Sequence, residues 1–296
     1  MAVEALRTPD EAFEALPDWP YQPQYVEDLP GYEGLRMHYI DEGPVGAPVF
    51  LCLHGEPTWS YLYRKMIPVF IGAGARVVAF DWFGFGRSDK PVDDDVYTWE
   101  FHRNSMLRFV EALDLTDITL VVQDWGGLLG LTLPVDHPDR ISRLLIMNTG
   151  LGVGVIPSQG FVEWRAYVAG TPDLEVGRLM KRSTSVLSHE EAAAYDAPFP
   201  GREYKAGVRT FPALVPTSPE MDGVEVSRAA RAWWGAFEGP VFMAVGAQDP
   251  VLGLPVMQSM RTIINGCPEP MIIEEGGHFV QEWGDEIAIA ALEAWA

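Results

Sequence analysis

ITLVVQDWGGLLG, residues 118–130, is the stretch on which the reading of the fold turns. Its opening run, Ile118 to Val122, is apolar and β-branched and closes on Gln123, the pattern of a strand buried in a parallel sheet. Asp124, Trp125 and the paired glycines Gly126 and Gly127 follow, and then an apolar segment of helical character as far as Pro134. That is strand, sharp turn and helix, with a carboxylate at the turn. Such a turn lifts its side chain above the carboxyl edge of the sheet and aims a helix N-terminus at the same point. A carboxylate in that position needs no base to attack carbon and displace a leaving group. Aspartate also caps helices in an ordinary structural role, so the neighbouring stretches must decide.

Composition sets the outer bounds. The 296 residues are 48% hydrophobic, enough for one large domain or a domain carrying an insertion. Twenty-one basic against 42 acidic residues give a formal charge of -21, which argues against nucleic acid and anionic membranes as partners. Two cysteines, Cys52 and Cys267, imply no disulfide framework and suit a reducing cytoplasm. The first sixteen residues mix charge with apolar positions and lack the apolar core of a signal peptide. No uninterrupted apolar run reaches membrane-spanning length.

Outward from the central stretch, residues 1–30 are proline-rich and read as an irregular arm. Leu35 to Asp41 reads as a strand of an antiparallel lead-in pair, and Pro48 to Leu53 as a buried strand running into His54-Gly55-Glu56-Pro57. Tyr61 to Ile71 has helical periodicity, Arg76 to Phe80 is the next strand, and Trp99 to Leu113 is an amphipathic helix. Ile141 to Met147 is a further strand. From Leu151 to about Arg228 no buried strand is legible. The alternation then resumes with Pro240 to Val245, a helix from Pro255 to Ile264, a strand from Met271 to Glu274 and a last helix reaching Ala296. The expected architecture is α/β: a mostly parallel central sheet flanked by helices, built from residues 1–150 and 229–296, with 151–228 inserted as a helical cap over the carboxyl ends of the strands.

Three predicted strand ends carry polar residues toward one edge. Asp124 follows the central strand, Asp249 follows PVFMAVGAQ, and His278 follows MIIEEGG. Nucleophile, acid and histidine in that chain order match the triad of an α/β-hydrolase. His38, His54, His102, His137 and His189 are assigned structural or surface positions. In this fold a backbone N–H after the first central strand, with that of the residue after the nucleophile, makes an oxyanion hole; Glu56 and Trp125 would supply them, because Pro57 has no N–H. The loop FGFGRSD lacks the glycine pattern of a dinucleotide or phosphate loop, and no Cys/His cluster suggests a metal, so neither a cofactor nor a metal is expected.

These stretches together resemble the haloalkane dehalogenases. HGEPTWSYLYRKMIP (54–68), FGFGRSDKP (83–91), VVQDWGG (121–127), APFPGREYKAGVRTFP (197–212) and GGHFVQE (276–282) carry the resemblance, with DLPGY at 28–32, and they sit nearest the dichloroethane-degrading subgroup. Val122 departs from the general hydrolase elbow, which has a small residue there. The resemblance implies hydrolysis of a haloalkane to a primary alcohol and a halide ion through an alkyl ester on Asp124. Trp125 and Trp164, in FVEW, would hold the halide, since an indole N–H is a neutral donor that solvates an anion without bonding to it. Phe161, Phe211, Pro212, Val215 and Leu252 are expected in the pocket wall.

Two rivals remain at this stage. An epoxide hydrolase uses the same Asp-Trp-Gly elbow with cap tyrosines, for which Tyr167, Tyr195 and Tyr204 are available. A non-catalytic receptor of the same fold would have no use for an aligned nucleophile and base. The expected partners are small molecules only: halogenated alkane, water and halide, acting on a monomeric chain in the cytoplasm.

Overall fold

The computed structural model describes residues 3–296. Ten strands form: β1 (Ala5–Leu6), β2 (Gln24–Val26), β3 (Met37–Glu42), β4 (Val49–Leu53), β5 (Arg76–Phe80), β6 (Lys90–Pro91), β7 (Ile118–Val122), β8 (Ile141–Met147), β9 (Val241–Gly246) and β10 (Met271–Ile273). Eight of them build one sheet in the order β10-β9-β8-β7-β4-β5-β3-β2. The pairs β10–β9, β9–β8, β8–β7, β7–β4 and β4–β5 are parallel, and β3 and β2 join antiparallel at one edge. All five residues of β4 and of β7 are buried, which is why their sequences read as unbroken apolar runs.

Helices cover the sheet: α1 (Ile67–Gly72), α2 (Trp99–Ala112), α3 (Trp125–Gly130), α4 (Gln159–Ala169), α5 (Val176–Ser183), α6 (His189–Ala194), α7 (Ala206–Leu214), α8 (Val224–Trp234), α9 (Leu254–Ile263) and α10 (Gly284–Ala294). The Thr98 hydroxyl accepts the Phe101 N–H and starts α2 one residue before its apolar stripe begins. Ser188 and Glu191 form a complete capping box at the start of α6.

Several elements differ from the sequence reading. The helix expected over Tyr61 to Ile71 is a 3₁₀ turn at Ser60–Tyr63 followed by the short α1, whose start Pro68 fixes. The helix after Asp124 stops at Gly130 instead of running to Pro134, because Pro134 has no N–H to offer the Gly130 carbonyl; a 3₁₀ turn at Leu133–Val135 takes over. The last helix ends at Ala294. The N-terminal arm is more ordered than expected. Its β1 pairs with β6 and its β2 extends the main sheet along β3, while residues 1 and 2 lie outside the described part.

The segment between β8 and β9 contains helices α4 to α8 and no strand. The expected boundary at 228 falls inside α8, which continues unbroken to Trp234. This segment packs closely on the frame of the sheet. A Cβ at Gly160, near the start of α4, would stand 2.0 Å from the Pro250 carbonyl oxygen, so only glycine fits there. Arg64, fully buried, donates to both oxygens of Glu282 at 2.8 and 2.6 Å and to Glu191 of α6 at 2.8 Å.

Candidate active site

The turn after β7 is built by close approach. A Cβ at Gly126 would lie 1.8 Å from the Leu53 carbonyl oxygen, and one at Gly127 would lie 2.1 Å from the Thr149 hydroxyl. The two glycines therefore let α3 press against the ends of β4 and β8. Asp124, between strand and helix, takes φ 50° and ψ -125°, a region that non-glycine residues rarely occupy. The surroundings hold it there: its N–H donates to the Asn148 carbonyl at 3.0 Å, and its own carbonyl accepts the Leu128 N–H at 2.9 Å and the Thr149 hydroxyl at 2.7 Å. Its side chain makes no cap bond to the helix and is free to face outward.

Asp124, His278 and Asp249 come together. The His278 Nε2 lies 3.4 Å from Asp124 Oδ2, and its Nδ1 lies 2.9 Å from Asp249 Oδ2. Asp249 is buried and accepts two further hydrogen bonds, from the Val251 N–H at 2.8 Å and the Asn148 amide at 2.9 Å. Burial opposes its charge, but the His278 ring and these donors prevail and hold the carboxyl below its ordinary range. Burial likewise opposes charge on His278. The Asp249 carboxylate first, then the Asp124 carboxylate, overcome it and hold the imidazole well above its ordinary basicity.

The Glu56 N–H donates to Asp124 Oδ1 at 2.8 Å, so a backbone donor already points at the carboxylate from the loop after β4. The peptide bond from Glu56 to Pro57 is cis. The Glu56 side chain is buried, and burial, then the Asp124 charge, push its carboxyl well above the usual range. The charge on His278 and the side chain of Trp164 favour the charged form of that carboxyl but do not overcome burial.

A cavity of about 470 Å³ opens beside Asp124, between the sheet's carboxyl edge and helices α4, α5 and α7. Glu56, Asp124, Trp125, Trp164 and His278 all face it, as do Phe161, Pro212, Val215 and Leu252 from the expected wall. Phe211 does not reach the cavity. It is fully buried behind Trp125, its ring 4.6 Å from the Trp125 ring, and the Trp99 ring lies 5.8 Å from the same indole. The sequence places Phe211 one residue before a wall residue, and the turn of α7 carries it to the opposite face.

Of the three tyrosines weighed earlier, only Tyr167 lines the cavity. Tyr195 is buried and donates to Glu282, and Tyr204 lies half-buried outside the cavity wall. Two contributors went unremarked in the sequence. Asn148 directly follows β8 and Gln123 directly follows β7; both are fully buried polar residues at the carboxyl edge, and that combination was the available signal. The five other histidines stand apart from the triad: His38 bonds Asp81, His54 accepts the Trp82 N–H, His102 stacks among aromatic rings, His137 meets Glu111, and His189 is exposed at the start of α6. No group of three or more His, Cys, Asp or Glu side chains able to hold a metal ion occurs among the described residues. Nor, among those residues, is any helix long and apolar enough to cross a membrane.

Residues 48–285 match the family model described as the alpha/beta hydrolase fold. A haloalkane dehalogenase of Mycolicibacterium paratuberculosis is 41% identical over 97% of this chain and 96% of its own length. One from Psychrobacter cryohalolentis is 43% identical with the same coverage, and haloalkane dehalogenase 1 of Mycobacterium tuberculosis is 44% identical over 97% of both chains. Among solved structures, the tetrameric haloalkane dehalogenase of Paraglaciecola agarilytica superposes with a TM-score of 0.96 at 53% identity, covering 98% of each chain. Matches that run nearly end to end through elbow, triad and intervening helices leave one assignment: the chain belongs to the haloalkane dehalogenases of the α/β-hydrolase fold.

Proposed function

We propose that the chain hydrolyses haloalkanes to an alcohol and a halide ion by two successive displacements centred on Asp124. Family membership supplies the substrate class and water as the second reactant. Asp124 attacks the carbon bearing the halogen, forming a carbon–oxygen ester bond as the carbon–halogen bond breaks. The halide leaves against the indole N–H groups of Trp125 and Trp164, which line the cavity beside Asp124. Water is too weak a nucleophile toward the ester unaided. His278 takes its proton while Asp249 orients and stabilises the imidazolium. The hydroxyl adds to the Asp124 carboxyl carbon, the oxyanion is held by the N–H groups of Glu56 and Trp125, and collapse returns the carboxylate and releases the alcohol with the proton from His278.

The observation that carries this reading is the line of Asp124, His278 and Asp249, at 3.4 and 2.9 Å, of which Asp124 and His278 face a mainly apolar cavity. Phe161, Pro212, Val215 and Leu252 would contact the alkyl chain, and residues 151–228 would act as the cap, with α8 tying its end to the frame. Ring opening of an epoxide is the weaker alternative, because it asks for proton-donating tyrosines and the cavity offers Tyr167 alone of the three considered.

The deciding experiment is mass spectrometry of His278→Phe after treatment with a bromoalkane. One equivalent of halide and a protein heavier by the alkyl group at Asp124 are expected. Asp124→Ala should release none. A folded His278→Phe protein that gives neither halide nor adduct would sink the covalent scheme.

We further propose a cytoplasmic location, which suits the two buried, unbridged cysteines. A monomer is expected by light scattering. A tetramer, the state given for the Paraglaciecola relative, would correct that expectation.

A further inference from the structure

Gln123 immediately precedes the nucleophile, and its side chain turns toward the base. Its amide nitrogen lies 3.0 Å from the His278 carbonyl oxygen and 3.0 Å from the His278 Nε2. Its amide oxygen accepts from the Gln281 side chain at 3.4 Å. The carbonyl can only accept, so the atom facing it is the NH₂ group and not the amide oxygen. That assignment bears on the second contact as well. An NH₂ group only donates, so this 3.0 Å contact is satisfied when Nε2 presents a lone pair, in competition with Asp124 Oδ2 at 3.4 Å, which would accept from an Nε2–H. The Nδ1 then carries the proton and donates it to Asp249 at 2.9 Å.

We infer that Gln123 is a positioning residue for ester hydrolysis: it holds His278 in the Nδ1–H tautomer, with the basic lone pair at Nε2, and disfavours the imidazolium. In the imidazolium the Nε2–H would meet the Gln123 N–H, two donors facing each other. Three carboxyl groups face the ring from other elements: Asp249 after β9, Asp124 at the elbow and Glu56 from the loop after β4. Asp249 and Asp124 raise the basicity of the ring. Gln123 works against both, and so keeps the base unprotonated at a lower pH than the carboxylates alone would allow. During hydrolysis the NH₂ keeps its bond to the His278 carbonyl and yields the Nε2 lone pair to the incoming water.

The inference rests on His278 being the base in the proposed mechanism, and the two fail separately. If His278→Phe forms no ester, the mechanism fails. If it does form ester, the following measurements concern Gln123 alone. Gln123→Met is close in shape and cannot donate. The pH dependence of ester breakdown, followed in single turnover after a 1-bromobutane burst, should keep its acidic limb but move its midpoint up by about one pH unit. That is a tenfold change in the ratio of free base to imidazolium. Breakdown should slow near neutral pH and recover in alkali, while the halide burst persists. A purely structural role would slow the reaction at every pH without moving the midpoint, and a midpoint that stays or falls overturns the inference. Should Gln123→Met not fold, Gln123→Ala also removes the donor and is followed through the same pH profile; a midpoint that moves up supports the inference, and one that stays or falls overturns it.

Discussion

Asn148→Ala should separate the two half-reactions and weaken the fold together. The Asn148 side chain is fully buried. Its amide donates to Asp249 Oδ2 at 2.9 Å, and its oxygen accepts the Gly246 N–H at 2.8 Å, tying the end of β8 to the end of β9. Alanine leaves that buried N–H without an acceptor, at a cost of about 1–3 kcal/mol, and removes a bond to a charged acceptor that contributes roughly 1.5–3 kcal/mol. The two losses share one side chain and do not add in full, so a fall of about 3–4 kcal/mol in unfolding free energy is expected from urea titration. Asp249 keeps the Val251 N–H and His278, two of its three partners, so the triad stays assembled but less firmly oriented. In the proposed mechanism Asp124 attacks without the base, so the halide burst in rapid quench should match the unaltered enzyme. Ester breakdown should slow about tenfold, the equivalent of roughly 1.4 kcal/mol in the barrier. A stability loss below 1 kcal/mol with both steps unchanged would refute the role given to this side chain.

Trp164→Ala removes one donor at the leaving group; halide affinity and the alkylation rate should both drop, by about 2.7–4 kcal/mol if the loss compares with that of an oxyanion-hole donor, and undiminished bromide binding in a fluorescence titration would contradict it. Arg64→Met strands the buried Glu282, with only Lys65 at 3.2 Å remaining as a counter-charge, and should cost about 3 kcal/mol in urea unfolding. Lys90 is fully buried, and burial pushes its ammonium down to about 7. Between that value and the ordinary lysine range the unfolded chain binds the extra proton, so this group makes stability rise with pH by up to about 1.4 kcal/mol per unit, and the contribution is lost toward pH 7. Thermal melts of Lys90→Met from pH 7 to 9.5 should show that slope gone, and an unchanged slope would exclude Lys90 as its source.

Much of this site could be read from the sequence because buried parallel strands announce themselves. β4, β5, β7, β8 and β9 are largely apolar runs whose ends fall within a residue or two of where composition changes, and polar residues within three positions of those ends gather at the carboxyl edge of the sheet. Asp124, Asp249 and His278 were legible for that reason. Phe211 was not, since wall and buttress differ by one position on a helix and only the orientation of α7 separates them. Gln123 and Asn148 were hidden for another reason: each acts on a partner more than a hundred residues away, and local sequence carries no mark of that partner. The expected boundary at 228 fell inside α8, which runs on through position 228 to Trp234.

Trp125 is clamped by rings of two different origins. Trp99 belongs to α2, which packs on the sheet, while Phe211 rides on α7 among the helices over the cavity. Any movement of α7 away from the sheet, large enough to let a product out, also withdraws one jaw of that clamp. The indole proposed to solvate the halide would then gain room to turn away from it. Opening the cavity and loosening the grip on the departing anion would become a single event.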